Sequence, residues 1–167
     1  MCMKQRILSL LVDNTSGVLS RVSGLFSRRG YNIDSLTVGV TADPRYSRMT
    51  VVASGDDLVL EQITKQLSKL VDVIDIKVLK PDESVNRELI MVKVKADAAQ
   101  RQSIMSVAGI FRAKIVDVGV ESLIIELTGA QSKVDAFLKL LEGYEILELA
   151  RTGITGLSRG MEDVRYL

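Results

Sequence analysis

Apolar residues in the first half of the chain recur with two different periods, and these periods alternate. Residues 7–12 are apolar except for Ser9, which is typical of a strand at the centre of a sheet. The next segment has a helical period and ends at Gly30, a residue suited to a helix C-terminus. Its apolar positions, which share one helix face, are Val18, Leu19, Val22, Leu25 and Phe26. The pattern predicts a strand followed by an amphipathic helix.

The pattern then changes to the period of two that indicates half-buried strands. Two such segments follow each other, at residues 35–40 and 49–53. Asp56 or Asp57 can cap a second helix, and residues 73–80 alternate once more. The first half therefore has the predicted order β-α-β-β-α-β.

Residues 81–86 are polar, contain one of the two prolines and interrupt this pattern, so we interpret them as a linker. The same order of elements then repeats, with Asp97 as the expected N-cap of its first helix. The strands predicted in this half are residues 89–94, 114–118, 123–128 and 146–151. Residues 155–167 show no strong periodicity and are predicted to form a tail.

A β-α-β-β-α-β unit folds as a four-stranded antiparallel sheet with both helices on one face, the ferredoxin-like arrangement. The sequence thus predicts an α+β protein with two tandem ferredoxin-like domains. Residues 1–80 form the first domain, 81–86 the linker, and 87–167 the second domain with its tail. Because units of this size leave sheet edges and one sheet face open, we expect at least a homodimer.

Composition excludes several classes of function. The formal net charge is +1, so no strong attraction to nucleic acid or to an anionic membrane is expected. Cys2 is the single cysteine, which excludes an internal disulfide framework and fits a cytoplasmic protein. The chain has no histidine, so it lacks Ser-His and Cys-His catalytic pairs and an ordinary zinc site. We expect no catalytic residue, no metal site and no membrane span.

The candidate chemistry lies in the turn between the first strand and the first helix. A strand that turns through Ser16 and Gly17 into a helix presents free backbone N–H groups at the positive end of the helix dipole. Such a turn can hold a small anion, for example the carboxylate of an amino acid. Asn14 and Ser16 are equally typical helix N-caps, and Asn32 is a typical turn residue.

Several segments of the chain resemble the small, regulatory subunit of acetolactate synthase. The matching motifs include Asn-Thr-Ser-Gly-Val-Leu-Ser-Arg at 14–21, Arg-Arg-Gly-Tyr-Asn-Ile at 28–33 and Gly-Leu-Ser-Arg-Gly at 156–160. The first domain of that family is an ACT module, a ligand-sensing form of the ferredoxin-like fold. The wider ACT pattern has an acidic residue and then Pro-Gly-x-Leu at this turn. Here Asn14 and Ser16 stand in place of the acidic residue and the proline, as in the small-subunit branch.

The resemblance implies a site for valine, or for isoleucine or leucine, where two ACT modules meet. Asn14 and Gly17 would come from one protomer and Asn32 from its neighbour. The effector-binding residues implied are Asn14, Ser16, Gly17, Val18, Leu19, Asn32 and Ile33. Backbone N–H groups at 16–19 would bind the carboxylate, the two asparagine oxygens the ammonium group, and Val18 and Ile33 the side chain.

By the same resemblance, the chain would bind and activate the catalytic large subunit and confer feedback inhibition by valine in branched-chain amino-acid biosynthesis. Thiamine diphosphate, Mg²⁺ and FAD would be held by that partner, and none by this chain. The alternative is a stand-alone ACT-type amino-acid sensor that acts on a different enzyme. An RNA-binding module of the same strand order is disfavoured because aromatic residues make up only 4% of the sequence.

Overall fold

The structure, a computed structural model, describes residues 3–161 and divides them into two compact units. The first unit consists of residues 3–86 together with 154–161, and the second of residues 87–153. The predicted α+β class and the ferredoxin-like order of elements are confirmed. Cys2 and the end of the predicted tail lie outside the described residues. Within the described range, no helix is long and apolar enough to cross a membrane.

The elements of the first unit follow the predicted order, and several extend beyond the predicted runs. They are β1 (Lys4–Asp13), α1 (Val18–Arg29), β2 (Ile33–Val40), β3 (Tyr46–Gly55), α2 (Asp57–Ser68) and β4 (Val73–Leu79). The strands are hydrogen-bonded in the order β2-β3-β1-β4, so β2 and β4 are the edges of the sheet. A short 3₁₀ turn, Pro81–Glu83, follows β4.

Both helices of the first unit pack on one face of this sheet. Leu8 and Leu10 of β1 face the helices, and Val51 of β3 pairs with Leu8 in register. Val22 and Phe26 of α1 are fully buried against them. The helical period of α1 and the period of two in the strands thus meet in one core, as the apolar pattern predicts.

The second unit repeats the arrangement. Its elements are β5 (Ser84–Lys95), which begins in the first unit, α3 (Ala98–Ile110), β6 (Lys114–Val118), β7 (Ser122–Gly129), α4 (Gln131–Leu140) and β8 (Ile146–Arg151). The strand order is β6-β7-β5-β8. Asp97 is the N-cap of α3, as predicted. Its carboxylate accepts a hydrogen bond from the Gln100 N–H at 2.8 Å, and the Gln100 side chain accepts one from the Asp97 N–H.

The domain boundaries differ from those predicted from the sequence. The predicted linker, residues 81–86, contains the 3₁₀ turn and the start of β5, and it groups with the first unit. Residues 154–161, predicted as part of the second domain, also group with the first unit. The predicted tail contains a further strand, β9 (Thr155–Ser158), which pairs with β5.

Residues 154–159, called the strap below, lie on the face of the first sheet that is turned away from its helices. Leu11, Val52 and Leu79 belong to that face by register, and all three are buried. β9 lies against β3 and β4, and Ile154 is only 5% exposed. The strap therefore covers apolar residues on a face that the sequence pattern predicted to be open.

Candidate functional site

The turn between β1 and α1 enters the helix through Gly17. Gly17 is the N-cap residue of α1, with φ 85° and ψ −7°, and no side chain among the described residues makes a capping hydrogen bond there. The alternative in which Asn14 or Ser16 caps this helix is therefore not what the structure shows. The first N–H groups of a helix lack partners within the helix, and they carry the positive end of its dipole. This end of α1 is suited to an anion.

Asn14 is held by the turn between β2 and β3. Its Nδ2 donates to the Pro44 carbonyl at 2.9 Å, its Oδ1 accepts from the Ser47 hydroxyl at 3.2 Å, and its N–H donates to the Arg45 carbonyl at 2.8 Å. An amide oxygen has two lone pairs, so Oδ1 has capacity for a second donor. The two side-chain bonds and the backbone bond fix Asn14 beside the β1–α1 turn.

An ion pair that the sequence did not reveal lies next to Gly17. Arg21 donates to the Asp72 carboxylate through Nε at 2.5 Å and through Nη2 at 3.0 Å. The Arg21 N–H also closes the first turn of α1 on the Gly17 carbonyl at 3.0 Å. The hydrogen bond from Arg21 is the main reason that the pKa of Asp72 is lowered, and the same bond raises the pKa of Arg21. The guanidinium group of Arg21 thus lies beside the start of α1.

Val18 and Leu19 have different surroundings. Val18 is buried in the core, as the helical period predicts. Leu19 was predicted on the same face, but it is 48% exposed. The difference follows from helix geometry, because residue 19 is rotated by about 100° from residue 18. Leu19, rather than Val18, presents apolar surface near the turn.

Asn32 and Ile33 lie at the opposite end of the sheet from Asn14. Ile33 pairs with Ala53 on β3, whereas Asp13 pairs with Tyr46, seven residues away along the same strand. At about 3.3 Å per residue, this separation is roughly 23 Å. Within one chain, the predicted site residues 14–19 therefore come together, and residues 32–33 do not join them.

The side chain of Asn32 makes a local contact. Its Nδ2 donates to Asp34 Oδ1 at 2.9 Å, and the Ser54 hydroxyl donates to the other oxygen of Asp34. Ile33 is half-buried and packs against the core of the first unit. The register of β2 shifts between Ile33 and Ser35, which marks a β-bulge directly after these two residues.

The turn signal in the sequence predicted Gly17 as part of the site. It did not predict the ion pair of Arg21 and Asp72 beside it. The only local signal was the position of Arg21, one helical turn after Gly17. Among residues 3–161, no group of three or more His, Cys, Asp or Glu side chains is arranged to hold a metal ion.

Comparisons with known proteins agree over most of the chain. A family model described as "AHAS small subunit-like ACT domain" matches residues 8–75, and one described as "Small subunit of acetolactate synthase" matches residues 87–160. A probable acetolactate synthase small subunit of Methanothermobacter thermautotrophicus is 54% identical over 155 residues, covering 92% of each chain. The acetolactate synthase small subunit of Mycolicibacterium smegmatis is 54% identical over 153 residues. The match covers 92% of this chain and 90% of that protein.

A solved structure of an acetolactate synthase small subunit is also similar to this chain. The crystal structure of the acetolactate synthase small subunit from Thermotoga maritima superposes with a TM-score of 0.87 at 44% identity, covering 95% of this chain and 99% of that one. Both family matches, the relatives at 54% identity and this structure point to one family. The chain therefore belongs to the family of acetolactate synthase small subunits, which are regulatory subunits.

Proposed function

We propose that this chain binds the catalytic large subunit of acetolactate synthase, raises its activity and makes it sensitive to inhibition by valine. The chain itself contributes no catalytic residue in this proposal, and its complete lack of histidine supports that view. Thiamine diphosphate, Mg²⁺ and FAD would belong to the catalytic partner. The protein would act in the cytoplasm, in branched-chain amino-acid biosynthesis.

The observation that carries the proposal is the uncapped start of α1 at Gly17. The left-handed conformation of Gly17 turns the backbone into the helix, and none of the described side chains makes a capping hydrogen bond to the first N–H groups. A carboxylate bound there meets backbone donors and the positive end of the helix. Asn14 Oδ1, fixed by its contacts with Pro44 and Ser47, is a matching acceptor for an ammonium group.

The second half of the effector site would come from a second copy of the chain. β2 is an edge strand, and its Val38 and Val40 are exposed. Antiparallel pairing of two β2 strands about a two-fold axis sets the start of one strand beside the end of the other. The start carries Asn32, and the end leads into the turn that holds Asn14. A homodimer of this kind brings the two groups together.

The aliphatic side chain of the effector would be buried at this junction. Exposed Leu19 and half-buried Ile33 supply apolar surface, whereas Val18 belongs to the core. Complete burial of a valine side chain is worth about 1.5–3 kcal/mol. Leucine and isoleucine offer similar area, so the shape of the slot decides the preference among the three.

The test is an assay of acetolactate formation by the catalytic subunit, with and without this chain, titrated with valine. We expect activation by the chain and inhibition by valine only when the chain is present. The full chain alone should bind valine in calorimetry. Valine binding without any effect on the catalytic subunit would favour the alternative, a sensor that acts on another enzyme. Absence of valine binding would refute the effector assignment.

A further inference from the structure

The strap joins the two edges of the first sheet across its helix-free face. At one end, the Ile154 N–H donates to the Ser35 hydroxyl at 3.4 Å, and its carbonyl accepts from the Thr37 hydroxyl at 3.1 Å. Ser35 and Thr37 both belong to the edge strand β2. The strap is therefore hydrogen-bonded to this strand through both the backbone N–H and the backbone carbonyl of Ile154.

The other end of the strap is fixed beside β4. A Cβ atom added to Gly156 would lie 2.9 Å from Leu79 Cδ1, so the backbone packs directly on the last residue of β4. The Arg159 N–H then donates to the Glu83 carbonyl at 2.8 Å. Ile154 at the first end is buried, and between the two ends β9 is hydrogen-bonded to β5. The strap is a packed and bonded part of the first unit.

Two of the candidate effector residues lie where strand β2 begins. Asn32 and Ile33 stand at its start, and Ser35 and Thr37 follow two and four residues after Ile33. The β-bulge between Ile33 and Ser35 separates the two pairs. A bulge bends a strand locally and redirects its side chains, so Ile33 and Ser35 lie on the two sides of a local bend in β2.

The strap is covalently continuous with β8, which ends at Arg151. Only Thr152 and Gly153 intervene. Thr152 makes two hydrogen bonds with Leu89 of β5, both at 3.0 Å. Its N–H donates to the Leu89 carbonyl, and its hydroxyl oxygen accepts from the Leu89 N–H. Gly153 has φ 84°, a left-handed conformation that turns the chain into the strap. The strap therefore follows the last residue of β8 after a connection of only two residues.

We propose that the strap relays effector occupancy at the start of β2 to the chain segment that ends β8, through the two hydrogen bonds that Ser35 and Thr37 make with Ile154. Coupling between two sites can be carried by a chain of contacts whose free energy differs between the two states. The bulge, the Ser35 and Thr37 hydroxyls, Ile154 and Gly153 form such a set. This relay rests on the proposed function, because it presupposes that an effector binds at the start of β2.

The experiment compares the full-length double variant Ser35→Ala/Thr37→Val with the parent, each assembled with the catalytic subunit. We expect both to stimulate the catalytic subunit and both to bind valine alone with similar affinity in calorimetry. Inhibition by valine in the variant should be weakened about fivefold or more, the range of typical allosteric couplings. Thr64→Val is the matched control. Its hydroxyl donates to the Leu60 carbonyl within α2, away from the strap, and inhibition should stay as in the parent.

Hydrogen exchange of the full chain supplies a second reading. In the parent, valine should change the exchange rate of the amides of residues 152–158, and in the double variant it should not. The relay would be overturned if valine inhibited the double variant as strongly as the parent. It would also be overturned if valine left the exchange rates of the strap amides in the parent unchanged. A parent chain that does not bind valine at all would instead refute the proposed function, so the two failures are distinguishable.

Discussion

The Nη1 atom of Arg21 lies 2.8 Å from the point that a Cβ atom on Gly17 would occupy. The space beside the start of α1 is therefore already filled by a guanidinium group, whose Nε and Nη2 bind Asp72. Any side chain at position 17 must displace this group. It must also adopt the left-handed conformation of Gly17, which costs an L-residue about 1–2 kcal/mol. Two separate reasons thus favour glycine here.

Gly17→Ala should weaken valine inhibition about tenfold or more, because the added methyl group displaces Arg21 and narrows the approach to the helix N-terminus. Stimulation of the catalytic subunit should persist. Gly17→Asp should have a larger effect, since its carboxylate repels that of the effector. The measurement is a valine titration of acetolactate formation.

Gly30→Ala is the control for backbone strain alone. Gly30 ends the same helix with φ 67°, and a Cβ atom there meets nothing within 4 Å. This variant should lose thermal stability to a similar extent and keep the valine response of the parent. Equal valine responses of Gly17→Ala and the parent would contradict the proposed site.

The Arg21–Asp72 pair should make part of the stability depend on pH. The pKa of Asp72 is lowered in the folded chain, mainly by the hydrogen bond from Arg21. Its contribution is then present above the pKa of the unfolded chain and is lost as the pH falls through the folded pKa. Asp72→Asn should lower the thermal midpoint at pH 7, and the difference from the parent should close below about pH 4.

Asp57→Asn is the matched control for this pH dependence. Asp57 pairs with Lys4 at 2.7 Å, but both side chains are mostly exposed, so the loss should be small at every pH. A difference between Asp72→Asn and the parent that is constant from neutral to acidic pH would show that the ion pair is not its cause.

Local signals account for the parts of the fold that the sequence predicted. The apolar run of β1, the period of α1 and the cap at Gly30 each depend on residues close together in the chain. β9 was not predicted because it has only four residues, and its one buried residue, Gly156, gives no apolar alternation. Its strand conformation comes from pairing with β5, which lies far away in sequence. No local pattern records such a pairing.

The candidate site shows the same division between local and distant information. The turn at Gly17 was predictable from the residues around it, and so were the free N–H groups that follow. The partners of Arg21 and Asn14 were not, because Asp72 and Ser47 are 51 and 33 residues distant. The roles of Asn14 and Asn32 in binding an effector stay predictions. Their separation within one chain makes a second copy a requirement of that hypothesis.

Val40→Lys should disrupt the proposed dimer. Val40 is 60% exposed on the edge strand β2, and a lysine on an edge strand opposes pairing with a second strand. The variant should behave as a monomer in light scattering and lose valine binding in calorimetry. Val118→Lys is the control, because Val118 is also 60% exposed and lies on the edge strand β6 of the second unit. A dimeric Val40→Lys that binds valine normally would exclude pairing through β2.

Arg151→Met should destabilise the second unit strongly, because it removes the cation that faces a buried carboxylate. Glu88 is only 4% exposed, and Arg151 Nε donates to both of its oxygens at 3.0 Å. Arg151 Nη2 also contacts Glu88, and it donates to Asp135 at 2.9 Å. A buried charge left without its partner typically costs about 3–5 kcal/mol. The free energy of unfolding in urea measures this loss.

Two further variants separate the buried charge from lost packing. Glu88→Gln/Arg151→Met removes both charges and should be more stable than Arg151→Met alone, since no uncompensated carboxylate then remains. Lys93→Met breaks the Lys93–Glu148 pair at 2.6 Å, but the Glu148 side chain is 72% exposed. No buried carboxylate is left without a partner, so the loss should be small. If Arg151→Met and the double variant were equally unstable, Arg151 would stabilise the fold through packing against its neighbours instead of through its charge.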